Sequence, residues 1–183
     1  DELKRKEFGF AKTLNKNEIN KKLGVQIICK VIKENKEENQ RFIQLINKTN
    51  QFNVSSSRIT EKEFKQKIST NSELYSYYLR DNVGEYGLIC ACEINVKLDI
   101  NIRIFAMSCR AMGRNVERAI FFDLISKMPR KLKQIKIRYI ETEKNRLLKN
   151  ILPEIGFENK DNIYTINKDL LEKNCSQTGI KII

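Results

Sequence analysis

Val25 to Ile32 is a run of β-branched and apolar residues and predicts the first strand. The period then changes. Between Glu37 and Thr49, Phe42, Leu45, Ile46 and Thr49 recur at i, i+3, i+4 and i+7, one face of an amphipathic helix. A polar stretch over 50–60 leads to a short helix over 61–68. Strands return at 74–80, which is aromatic, and at 86–96, with a turn at 81–84 between them. A second turn at 99–101 feeds a strand over 102–109, so an antiparallel meander is expected. Val116, Ala119, Ile120, Leu124 and Met128 then mark a helix stopped by Pro129. A strand at 135–139, a helix at 144–152 and a strand at 163–166 follow. This order predicts an α/β fold whose central sheet is mixed, largely antiparallel, twisted and flanked by helices. Residues 1–23 are charged and lack a clear period, and read as an arm or linker from an upstream domain; 24–183 read as one domain. The chain opens on Asp1 rather than Met, which suggests a piece of something longer.

Composition narrows the function classes. The chain is 40% apolar over 183 residues, enough for a true core. No apolar run approaches the roughly 20 residues a membrane span needs, and no signal-peptide pattern opens the chain. A cytoplasmic protein with no membrane partner is the expectation. There is no histidine, which removes the commonest general base and zinc ligand, and no metal site is expected. The five cysteines form no CxxC pair, and Cys29, Cys90 and Cys92 read as buried free thiols. The net charge of +12 fits either a solvated lysine surface or a face for an acidic partner, such as a phosphorylated cofactor or carrier protein. No basic motif interleaved with aromatics is present, so no nucleic-acid partner is expected.

The segment from Ser108 through Cys109, Arg110, Met112, Gly113 and Arg114 to Asn115 joins a strand to a buried helix. Gly113 can take positive φ, Asn115 suits an N-cap, and the free amides of a helix start attract anions. Arg110 and Arg114 add charge, so the turn reads as a phosphate cradle. It resembles the Arg/Gln-x-x-Gly-x-Gly/Ala loop of the GCN5-related N-acetyltransferase (GNAT) fold, which follows the fourth strand and holds the pyrophosphate of coenzyme A. Asn115 departs from the family's Gly or Ala. Lys144-Asn145 opening a helix, and the string from Leu152 and Pro153 to Gly156 and Phe157, match the same fold, with Pro153 set to end that helix early.

Longer strings resemble the FkbH-like proteins. They are Gln44 to Arg58, with its core Lys48-Thr49-Asn50-Gln51-Phe52-Asn53; Arg80-Asp81 with Gly84, Glu85 and Gly87; Ser108-Cys109-Arg110 with Gly113-Arg114 and Val116-Glu117; and Tyr139 with Thr142, Lys144 and Asn145. The resemblance implies a carboxy-terminal GNAT-like domain of a protein whose amino-terminal part is a phosphatase of the haloacid-dehalogenase superfamily, subfamily IIIC. It implies acyl transfer, glyceryl among the acyl groups, onto an acyl carrier protein in polyketide biosynthesis. Val83 and Glu141 depart from that family's usual residues.

Roles follow for individual residues. Cys109, beside Arg110 and the amides of the next helix, is the candidate nucleophile for a transient acyl-S-enzyme; a half-buried packing cysteine is the alternative. Glu85 is a candidate base or a turn residue, and Asp81 shares that ambiguity. Tyr139, at the end of the fifth strand where GNAT folds splay, is a candidate acid for the leaving thiol or plain core. Arg110, Met112, Gly113, Arg114, Asn115 and Asn145 are expected to hold coenzyme A or a carrier-bound phosphopantetheine. Asn50, Gln51, Asn53, Arg58 and Arg80 are expected to contact the acyl substrate. A carrier-docking module without catalysis is the competing reading.

Overall fold

A computed structural model describes residues 15–33, 36–56, 58–68, 72–96 and 99–183. Its elements are α1 (Lys16–Lys22), β1 (Gln26–Val31), α2 (Lys36–Lys48), α3 (Glu61–Ile68), β2 (Ser72–Arg80), β3 (Glu85–Val96) and β4 (Ile100–Met107). A 3-10 turn (Cys109–Ala111) leads to α4 (Val116–Ser126), β5 (Gln134–Arg138), α5 (Leu148–Ile155), β6 (Glu158–Lys160), β7 (Ile163–Asn167), α6 (Lys168–Cys175) and β8 (Lys181–Ile182). The expected α/β class and mixed sheet are present. Eight strands lie in the order β6-β7-β5-β4-β3-β2-β1-β8. β1 to β4 form the antiparallel meander, while β4–β5 and β1–β8 are parallel.

Alternation along β3 and β4 decides what covers each face. Cys90, Cys92, Phe105 and Met107 point to the larger core, which α4, α5 and α6 cover. Ala91, Ile104 and Ala106 point the other way, to a smaller core closed by Phe42 and Ile46 of α2 and Phe64 of α3. The predicted helical stripe is therefore the buried one: Phe42 is 0% exposed and its ring meets that of Phe64 at 5.4 Å. Phe105 stacks on Phe121 at 4.5 Å, locking α4 over β4.

Four elements lie where the sequence pattern gave no strand or helix: α1, β6, α6 and β8. Residues 1–14 of the expected arm lie outside the described residues. Residues 16–22, read as linker, instead form a helix started by a capping box between Asn15 and Glu18. Asn20 on it is 1% exposed and donates to the carbonyls of Arg114 and Thr178, both at 2.8 Å. This short helix carries its buried signal on an amide, so hydrophobic periodicity does not see it. α6 likewise starts on a cap, with Asn167 Oδ1 accepting the Asp169 amide at 2.8 Å. Pro153 does not shorten its helix, which runs to Ile155. A Schellman ending at Gly156 (φ +111) stops it, with Phe157 N–H on the Leu152 carbonyl at 3.0 Å.

Candidate functional site

β4 and β5 pair over three residues, Ile100–Ile102 against Ile135–Ile137, and then part. The chain's own segment 52–54 fills the opening. Met107 N–H donates to the Phe52 carbonyl at 2.8 Å and Val54 N–H to the Phe105 carbonyl at 3.2 Å. On the far side Ile140 N–H donates to the Val54 carbonyl at 2.9 Å. A short wedge strand thus satisfies backbone groups on both sides of the gap.

Asn53 and Asn145 hold this wedge, which corrects their expected roles in binding. Asn53 is 2% exposed: its Nδ2 caps the carbonyls of Ile46 and Thr49, and its Oδ1 accepts the amides of Ser55 and Ser56. Asn145 is 0% exposed. Its Nδ2 reaches the Asn53 carbonyl, Ser56 Oγ and the Ile140 carbonyl at 3.0, 2.7 and 2.9 Å, and its Oδ1 accepts from Thr142 N–H and the Tyr139 hydroxyl. Such satisfied, buried amide hubs fix a loop. Tyr139 is likewise core, 2% exposed, with its hydroxyl spent on Asn145 and its ring edge-on to Tyr164. Burial, aided by the charge of Glu141, pushes its pKa up to about 12. A proton-donating role toward a leaving thiol is not compatible with that setting.

The expected phosphate cradle is built differently from the expectation. Gly113 has φ +83 with open space around it, as a ligand-facing glycine would. Asn115, however, sits in the left-handed region at φ +60 and caps nothing; its Nδ2 donates to Asn17 Oδ1 of α1 at 3.2 Å. Asn tolerates this conformation better than most residues, which explains how it replaces Gly there. Arg114 leaves the cradle and pairs with Asp81 Oδ2 at 2.9 Å over the Tyr86 ring. Burial alone would raise the Asp81 pKa, but donors from Val83, Arg114, Tyr86 and Gly84 outweigh it and hold the carboxyl below its ordinary value. Asp81 is thereby a fastener of the β2–β3 turn rather than a base.

Glu117 accepts its own backbone N–H at the start of α4, and burial raises its pKa. A small cavity of about 110 Å³ there is lined by Met112 and Gly113 together with two carboxylates, Glu117 and Glu154, and two cations, Lys16 of α1 and Arg118.

The larger opening lies on the other side of Cys109. A cavity of about 910 Å³ is walled by Arg41, Gln44, Leu45 and Lys48 of α2, by Asn50 and Gln51, and by Tyr78 and residues 85–88. Met107, Ser108, Cys109 and Arg110 also line it. Cys109 is exposed, whereas Cys90, Cys92 and Cys175 are buried. Of the expected site residues the cavity unites Cys109, Glu85, Arg110, Asn50 and Gln51. Arg58 is exposed outside it, and Arg80 bonds Gln26 Oε1 at 2.9 Å. Arg41, Gln44, Lys48 and Tyr78 line the cavity without having been expected at the site, although Gln44 and Lys48 stand in the string that resembles the FkbH-like proteins. The first three fall at i, i+3 and i+7 on the polar side of α2, a spacing that also marks an ordinary solvated face.

No family model and no curated protein matches this chain. Solved structures do. Spermidine N-acetyltransferase from Vibrio cholerae, in complex with CoA and spermine, is similar at TM-score 0.58 and 11% identity, over 80% of this chain and 98% of that one. A domain from Methanocaldococcus jannaschii gives TM-score 0.57 at 15% identity, over 78% and 99%. An acetyltransferase from Thermus thermophilus gives 0.56 at 8% identity, over 76% and 97%. At such identities the likeness concerns the fold, and on it the chain has the GNAT acetyltransferase fold.

Proposed function

We propose that this is the acyltransferase-like domain of an FkbH-like protein, moving an acyl group, glyceryl among those it would accept, to or from a phosphopantetheine thiol. Cys109 is the acyl carrier on the enzyme. The observation that supports this most is that the exposed Cys109 lines the large cavity together with Glu85, Arg110, Asn50 and Gln51. In the chemistry, the Cys109 sulfur attacks the acyl carbonyl of a thioester, and the C–S bond to the donor breaks. The donor thiolate leaves with the proton that Glu85 takes from Cys109. An acceptor thiol then repeats the exchange in the opposite sense. Asn50 and Gln51 supply donors and acceptors for a polar acyl group.

The arm carrying the thiol belongs to coenzyme A or to an acyl carrier protein; the cavity at Met112 and Gly113 offers Lys16 and Arg118 beside Glu117 and Glu154. Because Asn115 makes no side-chain cap at the start of α4, a second reading is a docking module that presents a carrier to an upstream phosphatase domain. The rate of acyl transfer to a carrier protein by wild type and by Cys109→Ser separates the two. A loss of about a hundredfold or more supports the acyl-enzyme; an unchanged rate rejects it.

A further inference from the structure

Resting on the reading of the turn before α4 as the place of the arm's phosphate, the further question is what keeps that turn in shape. Two of its residues lie in the left-handed region, Gly113 at φ +83 and Asn115 at φ +60. Glycine takes this conformation freely; asparagine tolerates it but keeps some of the steric penalty of its Cβ. Among the described residues the amides of Gly113, Arg114 and Asn115 donate to no backbone carbonyl. Where these donors point is set by the two dihedral angles, so the turn is an anion cradle only while both angles hold.

The strained residue rests on α1. Asn115 Nδ2 donates to Asn17 Oδ1 at 3.2 Å, and the buried Asn20 donates from Nδ2 to the Arg114 carbonyl at 2.8 Å. The other Asn20 bond, to the Thr178 carbonyl, and Gly179 close against the Asn17 carbonyl fix α1 itself to the carboxy-terminal stretch. Lys16, next to Asn17, lines the same small cavity as Met112 and Gly113. A helix that precedes the first strand thus holds the turn both by a side chain and by its backbone.

We infer that Asn17 of α1, seated by Asn20, is a positioning residue for the arm: it holds Asn115 in the left-handed conformation that offers the turn's amides to phosphate. Asn17 does for Asn115 what the missing side chain does for a glycine. The dependence of the turn on α1 is the consequence of carrying asparagine at position 115.

Titration calorimetry on the full chain, with coenzyme A and with S-methyl phosphopantetheine as probes, tests this in wild type, Asn17→Ala, Asn115→Gly and Asn17→Ala/Asn115→Gly. Asn17→Ala is expected to weaken binding about fivefold, the equivalent of one modest hydrogen bond. Asn115→Gly keeps the wild-type affinity, and in the double variant the glycine restores it. A merely structural Asn17 would instead lower the melting temperature in both backgrounds and leave affinity alone. Unchanged affinity in Asn17→Ala, a loss that Asn115→Gly does not repair, or a loss in Asn115→Gly by itself overturns the inference. Failure of wild type to bind either probe overturns the reading it rests on, and the inference with it. Because the readout is binding, undiminished transfer in Cys109→Ser would sink the acyl-enzyme and leave the role of Asn17 standing.

Discussion

The Val54 carbonyl accepts the N–H of Ile140 at 2.9 Å while the Val54 N–H donates to Phe105 at 3.2 Å, so one residue joins two strands that have already parted. The consequence is mechanical. The gap between β4 and β5, which a bound chain would otherwise enter as an added strand, is occupied by the protein itself. Cys109 and α2 both line the large cavity beside this wedge.

The wedge depends on Asn145. Asn145→Ala strands the Thr142 amide and removes the donor to the carbonyls of Asn53 and Ile140. With one buried and two part-buried hydrogen bonds removed at once and a gap left at a fully buried position, about 2 kcal/mol of stability should be lost, read from urea denaturation midpoints. A loss below about 0.5 kcal/mol would show that the hub does not hold the loop.

The Asp81–Arg114 pair has a pH signature. The carboxyl's folded pKa lies below its unfolded value, so the stabilisation is present above the unfolded carboxylate pKa, near 4, and fades as pH falls through the folded value. Asp81→Asn should be less stable than wild type at pH 7, and the two should converge at strongly acidic pH. A constant gap across acid pH would contradict this.

At alkaline pH the sign reverses. Burial lifts Cys29 to about 11, Cys175 to about 12 and Tyr139 to about 12. Each is ionised first in the unfolded chain, so the stability they contribute is complete below their ordinary pKa values and disappears as pH rises through roughly 9 to 12. Melting temperature should fall across that window, and Tyr139→Phe should lessen the part above pH 10. An equal decline in both proteins would remove Tyr139 from the explanation.

Gly179 binds the carboxy-terminal stretch to α1. At φ +68, a methyl there would meet the Asn17 carbonyl oxygen at 2.0 Å. Gly179→Ala should cost about 2 kcal/mol or more from conformational strain and the clash, seen as a lower melting temperature.

How much of this was legible in the sequence differs between fold and site. The strands of the meander and the Phe42–Ile46 stripe were legible because each buries apolar side chains at a fixed period. α1 was not, because the residue that seats it is Asn20, and an amide bonded across 94 and 158 positions leaves no periodic trace. At the site, the residue strings around Asn50, Glu85 and Cys109 did converge in space. Asn53, Tyr139 and Asn145 looked like ligand groups for the same reason that they are structural: amides and hydroxyls serve either use, and burial decides between them. Arg41 was hidden among the many lysines and arginines of a chain with net charge +12, and Lys48, although it opens the string that runs to Asn53, had no role of its own there.

The central claim is that Cys109 carries the acyl group. Intact-mass spectrometry of the full-length protein with candidate acyl donors, quenched in acid before the carrier is added and followed by peptide mapping, tests it most directly. One acyl unit is expected on the peptide containing Cys109, released when holo carrier protein is supplied and lacking in Cys109→Ser. Transfer to the carrier with no such adduct, or an adduct on another residue that turns over, would contradict it.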